Sequence, residues 1–361
     1  MKKTLSLLSL LLVFALLVTA CAPTGATEEP APAEEPAATE EPAAEEPVAG
    51  GEAVSMGLAL MTAIDRSTDA SADATARAQV DTVIALATFD SEGRVVNVII
   101  DNAQTRVNFD EEMQVSSDVT APIKTKVELG DDYGMGNVSS IGKDWHEQIA
   151  ALEAWMVGKT VDEINALPLS EGAADLPELT SSVTMRVASY MAAVEKAFAN
   201  AVPVSDVATI GLGTLTDISK SKSYEVDADG KETLPMAQVD TTITGTAFDA
   251  AGNVVGIQID VAQTRVNYDA EGIVTSDKTA AVPSKAELGA DYGMARVSGI
   301  EKEWFEQIEA LEAWMIGKSV EEIKGMELAE GAPADADLTS SVTIRVGAYL
   351  TALEKAYATA R

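Results

Sequence analysis

Residues 79–199 recur as residues 238–358 at a constant offset of 159 without a gap, and 70 of the 121 positions are identical. Whatever the first stretch folds into, the second must fold into as well. Upstream, "MGLALMTAIDRS" at Met56 corresponds to "IGLGTLTDISKS" at Ile210, and the second copy carries a five-residue insertion near "SYEVDADGKETLP". The repeats therefore run over residues 54–200 and 207–361, joined by the short link "AVPVSD". Two copies are too few for a solenoid whose units lean on one another, so each is expected to be an independent globular domain.

Within a repeat, "QVDTVIALATFD", "SEGR" and "VVNVIIDNAQTRVNF" predict two β-branched strands around a glycine-containing turn, and "FDAAGN" supplies the turn in the second copy. "GLGTLTDIS" adds a further antiparallel strand. "ELGDDYGM" and "ELGADYGM" have loop composition. A helix follows, because Trp145, Ile149, Leu152 and Met156 share one face, as do Trp304, Ile308, Leu311 and Met315, and Gly158 is placed to stop the first. Thr160 with Glu163, and Ser319 with Glu322, form capping boxes that start a second, shorter helix. A last helix is expected to open at "TSSVT" and to present Val183, Val187, Tyr190, Val194 and Phe198 on one face. These elements predict an α+β fold, an antiparallel sheet with packed helices in each of two homologous domains.

The chain opens with Lys2 and Lys3, an apolar run over residues 5–18, and "VTAC". This is the pattern of a signal peptide over residues 1–20. Val18-Thr19-Ala20-Cys21 resembles the lipobox of bacterial lipoproteins, in which the cysteine, here the only one in 361 residues, becomes the lipidated first residue of the mature protein. Several acyl chains on Cys21 would hold the protein stably at a membrane, each buried methylene contributing about 0.8 kcal/mol. Residues 21–53 are dominated by Ala, Pro, Glu, Thr and Gly, too poor in apolar surface to offset the entropy of ordering, and read as an extended tether. The expected location is the extracytoplasmic side of a bacterial membrane.

The formal net charge is −33, and the tether stretch 22–52 holds only nine of the 58 acidic residues. The repeats are themselves acidic, which argues against nucleic acid as a partner. His146 is the sole histidine, and its counterpart is Phe305, so a histidine triad or a histidine metal site repeated in both copies is excluded. No CxxC, phosphate loop or G-x-S-x-G elbow occurs, and "DADG" and "DSEG" lack the ligands of a calcium loop. Hydrolysis has no machinery in this chain.

The chemistry rests on "ELTSSVTMRV" and its near-copy "DLTSSVTIRV". Three hydroxyl residues at a helix start satisfy first-turn amides. They also suit a phosphate, which the free N–H groups and dipole of such a start attract. The repeat resembles the FMN-binding domain family of flavinylated membrane redox subunits and flavin-bearing bacterial lipoproteins, whose motif Asp-x-x-Ser/Thr-Gly-Ala-Thr/Ser ends in a residue that a flavin transferase esterifies to the FMN phosphate. Asp337, Ser340 and Thr343 fit that motif, as do Ser181 and Thr184, with Glu178 in place of the aspartate. Gly-Ala is replaced by Ser182-Val183 and Ser341-Val342.

The resemblance implies an FMN at each repeat, with Thr184 and Thr343 as attachment points. Tyr133 and Met135, or Tyr292 and Met294, from "DYGM" would lie against the ring or else plug a sheet edge. Arg106 and Arg265 in the shared "AQTRVN" either face the phosphate or pair with a carboxylate, and Lys126 and Lys285 carry the same alternatives. Trp145, Trp155, Trp304 and Trp314 are expected to pack helix against sheet. Two functions follow: a surface lipoprotein passing electrons from a membrane redox partner through one flavin per repeat, or a non-catalytic module that has kept the fold and binds a ligand or envelope partner. A solute-binding protein ranks behind both, since such proteins pair α/β lobes with parallel sheets.

Overall fold

The computed structural model describes residues 51–361, so the signal segment, Cys21 and most of the tether lie outside the described residues. β1 (Ser55–Ala63), β2 (Arg77–Phe89) and β3 (Val95–Asn108) pair antiparallel in the order β3-β2-β1. The β2–β3 connection turns at Gly93, whose φ of +76° carries no steric penalty in glycine alone. α1 (Lys126–Leu129) runs into a 3₁₀ turn over Gly130–Tyr133, so "ELGDDYGM" is partly helical rather than loop throughout. α2 (Trp145–Met156) ends before Gly158 at φ +81°, and α3 (Val161–Asn165) starts from the Thr160–Glu163 capping box. The ribbon of β4 (Leu169–Ser170) and β5 (Ala173–Ala174) leads to α4 (Pro177–Thr180) and α5 (Ala188–Ala199).

β6 (Val202–Pro203) lies in the link between repeats and adds to the outer edge of β1. The order of elements then recurs. β7 (Thr209–Asp217) is followed by a small ribbon, β8 (Glu225–Val226) with β9 (Glu232–Thr233), built from the insertion. β10 (Met236–Phe248) and β11 (Val254–Asn267) complete a sheet ordered β11-β10-β7. α6 (Lys285–Leu288), α7 (Trp304–Met315), α8 (Val320–Lys324), β12 (Leu328–Ala329), β13 (Ala332–Pro333) and α9 (Gly347–Ala358) follow. Beside β7, in the place β6 holds beside β1, Arg361 exchanges two main-chain hydrogen bonds with Ile210.

The long strands β1, β2, β3, β7, β10 and β11 are buried on both faces over most of their length, which is why their sequences are nearly continuous in apolar residues rather than alternating. One face of the first sheet (Ala59, Val83, Ala85, Phe89) packs on Trp145, Ile149 and Leu152 of α2 and on Val194 and Ala197 of α5. The other face meets the second sheet: Met56, Leu58, Leu60, Ile84 and Leu86 pack against Ile210, Leu212 and Ile243. Further along, Val80, Val107 and Phe109 continue the contact with Val239, Val266 and Tyr268. Helix, sheet, sheet and helix therefore stack in four layers.

The independent domains expected from the repeat give way to halves that share a core. Hydrogen bonds cross the junction in both directions, from Val115 N–H to Ser223 Oγ and from Val274 N–H to Asp69 Oδ1. Two ion pairs repeat across it at equivalent positions, Lys196 with Glu287 at 2.5 Å and Lys355 with Glu128 at 2.7 Å.

Candidate functional site

The hydroxyl run does not open the last helix. Thr180 is the final residue of the four-residue α4, residues 181–187 form a turn, and α5 begins only at Ala188. In the second repeat residues 336–341 are turn throughout, and α9 begins at Gly347. The 3.6-residue spacing that predicted a continuous helix is real burial, since Val183, Val187, Tyr190 and Val194 are all in the core, but Val183 reaches it from the turn, and Phe198 is 43 % exposed. The amides that a helix start would offer a phosphate are taken. Ser182 and Val183 N–H donate to Leu179 O, and Thr184 and Met185 N–H donate to Gln148 Oε1 at 2.9 and 3.2 Å.

Gln148 lies wholly buried on α2, three residues after Trp145. Its Oε1 also accepts the Thr184 hydroxyl at 3.3 Å, while its Nε2 donates to Lys143 O and Ser139 Oγ. Gln307 repeats the arrangement with Thr343 N–H at 2.9 Å and its hydroxyl at 3.2 Å. The two candidate threonines are thus fixed in rotamer and position by a glutamine from the neighbouring helix. Lys143 Nζ donates to Ser182 Oγ at 3.3 Å. Ser181 and Ser340 are exposed, Ser341 is half-buried, and Glu178 accepts the Trp155 indole N–H at 2.7 Å.

Beside this turn opens a cleft of about 600 Å³. Tyr133, Met135, Trp145, Met61 and Met185 line it with Lys126, Arg66 and Arg186. Lys126 is almost fully buried, with Nζ 4.9 Å from the Tyr133 ring centre and 5.4 Å from that of Trp145. The Trp145 indole donates to Tyr190 Oη at 3.0 Å. Burial raises the Tyr190 phenol above its ordinary pKa, so it stays a neutral acceptor for the indole.

A polar chain runs along the sheet under the cleft. Arg106 Nε donates to Gln79 Oε1 at 3.1 Å, Gln79 and Gln104 both donate to Asp81, and Tyr133 Oη donates to Gln104 Oε1 at 3.4 Å. Arg106 leans on a neutral amide and lines a second cleft, of about 480 Å³, which shares Lys126, Tyr133, Met135 and Gln104 with the first. Asn102 Oδ1 is buried without a hydrogen-bond partner, on a residue lining the larger cleft.

The second repeat rebuilds most of this. Lys285 lies 4.9 and 5.4 Å from the Tyr292 and Trp304 rings, the Trp304 indole donates to Tyr349 Oη at 2.9 Å, and Arg265 Nε donates to Gln238 Oε1 at 3.0 Å. Burial pushes the Tyr349 phenol up to about 12. Met294 packs against the core beside Tyr292. The differences are specific. Val261 stands where the first repeat has Asn102, Ile344 replaces Met185, and Lys220, the counterpart of Arg66, is bound to Asp240 at 2.7 Å. That hydrogen bond and charge raise the Lys220 pKa.

Trp145 and Trp304 lie in their cores, as expected, whereas Trp155 and Trp314 are only partly buried, their rings covered by Lys159 and Lys318 at 4.8 and 4.3 Å. Gln148, Asp81, Gln104, Asn102, Arg66 and Met185 were not singled out from the sequence. The identity of Gln148 and Asp81 in both repeats, each a polar residue inside an apolar pattern, is the one signal that could have found them. Among the described residues, no group of three or more His, Cys, Asp or Glu side chains is placed to hold a metal ion, and no helix is long and apolar enough to cross a membrane. Comparison with known proteins finds no matching family, no curated relative and no matching solved structure.

Proposed function

We propose that the protein is a membrane-tethered carrier whose first-repeat cleft holds the planar ring of a flavin mononucleotide, with a weaker or variant site in the second repeat. The observation that carries this reading is the convergence of Tyr133, Trp145, Met61, Met135 and Met185 with buried Lys126 in a cleft of about 600 Å³, beside the turn that contains Thr184. That volume lies within the ~300–1,000 Å³ of ligand sites, and aromatic and thioether walls with a few polar groups are what such sites need.

The residues fit the group on several counts. The unpartnered Asn102 Oδ1 offers an acceptor to a ring N–H, and Arg66 and Arg186 supply cations for a phosphate. When bound, the flavin supplies reversible electron transfer. The Lys126 ammonium, held against the Tyr133 and Trp145 rings in this cleft, would favour an anionic ring over a neutral one. Gln148 accepts the Thr184 hydroxyl at 3.3 Å and so holds in place the oxygen to which a phosphate would be attached. Cys21 would anchor the carrier at the membrane, where a flavin transferase and a redox partner would act on it.

A second reading, a ligand-binding module without redox chemistry, is favoured by one observation: the Thr184 and Met185 amides are already bound to Gln148, and no glycine loosens the turn at Ser182-Val183. The two separate by intact mass and visible spectrum of the mature chain made in an envelope that contains a flavin transferase, beside Thr184→Ala and Thr343→Ala. A flavin absorption band with an added mass of one FMN, lost in Thr184→Ala, supports the carrier. Colour released on denaturation at unchanged mass supports a non-covalent flavin. A colourless protein that stays so after incubation with FMN removes flavin from the account and leaves the ligand-binding module.

A further inference from the structure

The pseudo-symmetric junction of the two repeats creates a pair of equivalent clefts, and they differ in one decisive respect. The first, about 360 Å³, lies between β3 and α2 of the first repeat and β7 and α9 of the second. The other, about 430 Å³, lies between β11 and α7 of the second repeat and β1, α5 and β6 of the first. Glu153 on α2 points into the first cleft and accepts Ile100 N–H at 2.7 Å. Glu312, its counterpart on α7, points into the second and accepts Ile259 N–H at 2.6 Å.

In the first cleft the chain provides its own cation. Arg361 Nη2 sits 2.5 Å from Glu153 Oε2, its backbone clamped to Ile210. In the second cleft the corresponding backbone position, paired with Met56 as Arg361 is paired with Ile210, is Val202. Among the described residues Glu312 has no cation against it. Burial, with Glu309 and Asp260 nearby, pushes its carboxyl up to about 8. Trp304 and Phe305 form an aromatic wall, and Phe305 replaces the His146 of the first cleft. The other charged groups around it are Asp260 on β11, Glu287 on α6 and Glu309 on α7, with Lys196 on α5 already bound to Glu287 and to Leu60 O.

We propose that the Glu312 cleft binds a small molecule bearing a guanidinium group, in the place where Arg361 sits in the equivalent cleft. The template is internal to the protein: the same glutamate, on the same helix, against the same strand, already holds a guanidinium once. A planar cation suits the site, since it pairs with Glu312 and stacks on the half-buried Phe305. This site shares no residue with the first-repeat cleft to which the flavin is assigned and does not depend on it.

The test is isothermal titration calorimetry of agmatine into the full chain near neutral pH, with Glu312→Gln, Val202→Arg and Glu153→Gln alongside. Glu312→Gln keeps an acceptor for Ile259 N–H, and Val202 is 43 % exposed, so both variants keep their fold. Saturable binding is expected, weakened about thirtyfold or more in Glu312→Gln, as loss of one member of a buried charge pair requires. It should disappear in Val202→Arg, which fills the cleft from within, and persist in Glu153→Gln. Because Glu312 ionises as the cation binds, the heat measured in two buffers should reveal proton release, and affinity should rise toward alkaline pH. Absence of saturable binding, undiminished binding in Glu312→Gln, or loss in Glu153→Gln instead would overturn the assignment.

Discussion

Glu312 and Glu153 hold the same position in their repeats, and their difference reaches the stability of the whole chain. A carboxyl raised to about 8 in the folded state stabilises the fold fully below its unfolded value, and that contribution is lost as pH rises through 8. Asp101, buried and raised to about 6, acts in the same direction over a lower window. Urea unfolding should therefore show falling stability from about pH 4 to about pH 8, with Asp101 contributing only below about 6, and Glu312→Gln should flatten the slope above about pH 6. Gln148→Ala leaves the Thr184 and Met185 amides without an acceptor and should cost about 1–3 kcal/mol in the same assay. The apolar residues of α2 were legible because their spacing alone marks a face. Gln148 was not, because a glutamine on that face gains its meaning from Thr184, 36 residues away in sequence.

Among elements, the hairpins were the most legible, since strand composition and a glycine turn are local properties. The start of α5 was not. Its burial pattern continues backward through Val187 to Val183, and only the β4–β5 ribbon, whose Gly172 carbonyl accepts Val187 N–H, bends the chain out of helix there. A contact of that kind leaves no periodic trace. The approach of helix to sheet is equally hidden, yet it explains the glycines of β1 and β7. A Cβ on Gly57 would meet the Ala197 carbonyl of α5, and one on Gly211 or Gly213 would meet Ala356 or Ala352 of α9. Gly57→Ala should therefore force the helix away and cost about 1–3 kcal/mol in thermal unfolding, whereas Gly299→Ala, with open space around its Cβ, should leave stability near that of the parent.

For the whole molecule, repetition was plain in the sequence, but the face-to-face union of the sheets was not, because strands buried on both sides read the same whether a helix or another sheet covers them. The union implies that neither half is self-sufficient. Residues 207–361 made alone would expose Ile210, Leu212 and Ile243, and should self-associate in analytical ultracentrifugation. Leu86→Glu in the full chain should lower the midpoint of unfolding sharply, since it buries a charge between the sheets. The covalent link through β6 has a further effect. A symmetric pair of identical chains must keep both junction clefts alike, so any change in one is imposed on the other. Joining the copies removes that constraint: Val202 and Arg361, or His146 and Phe305, can diverge separately, and one architecture can offer two unlike receptors at a fixed separation.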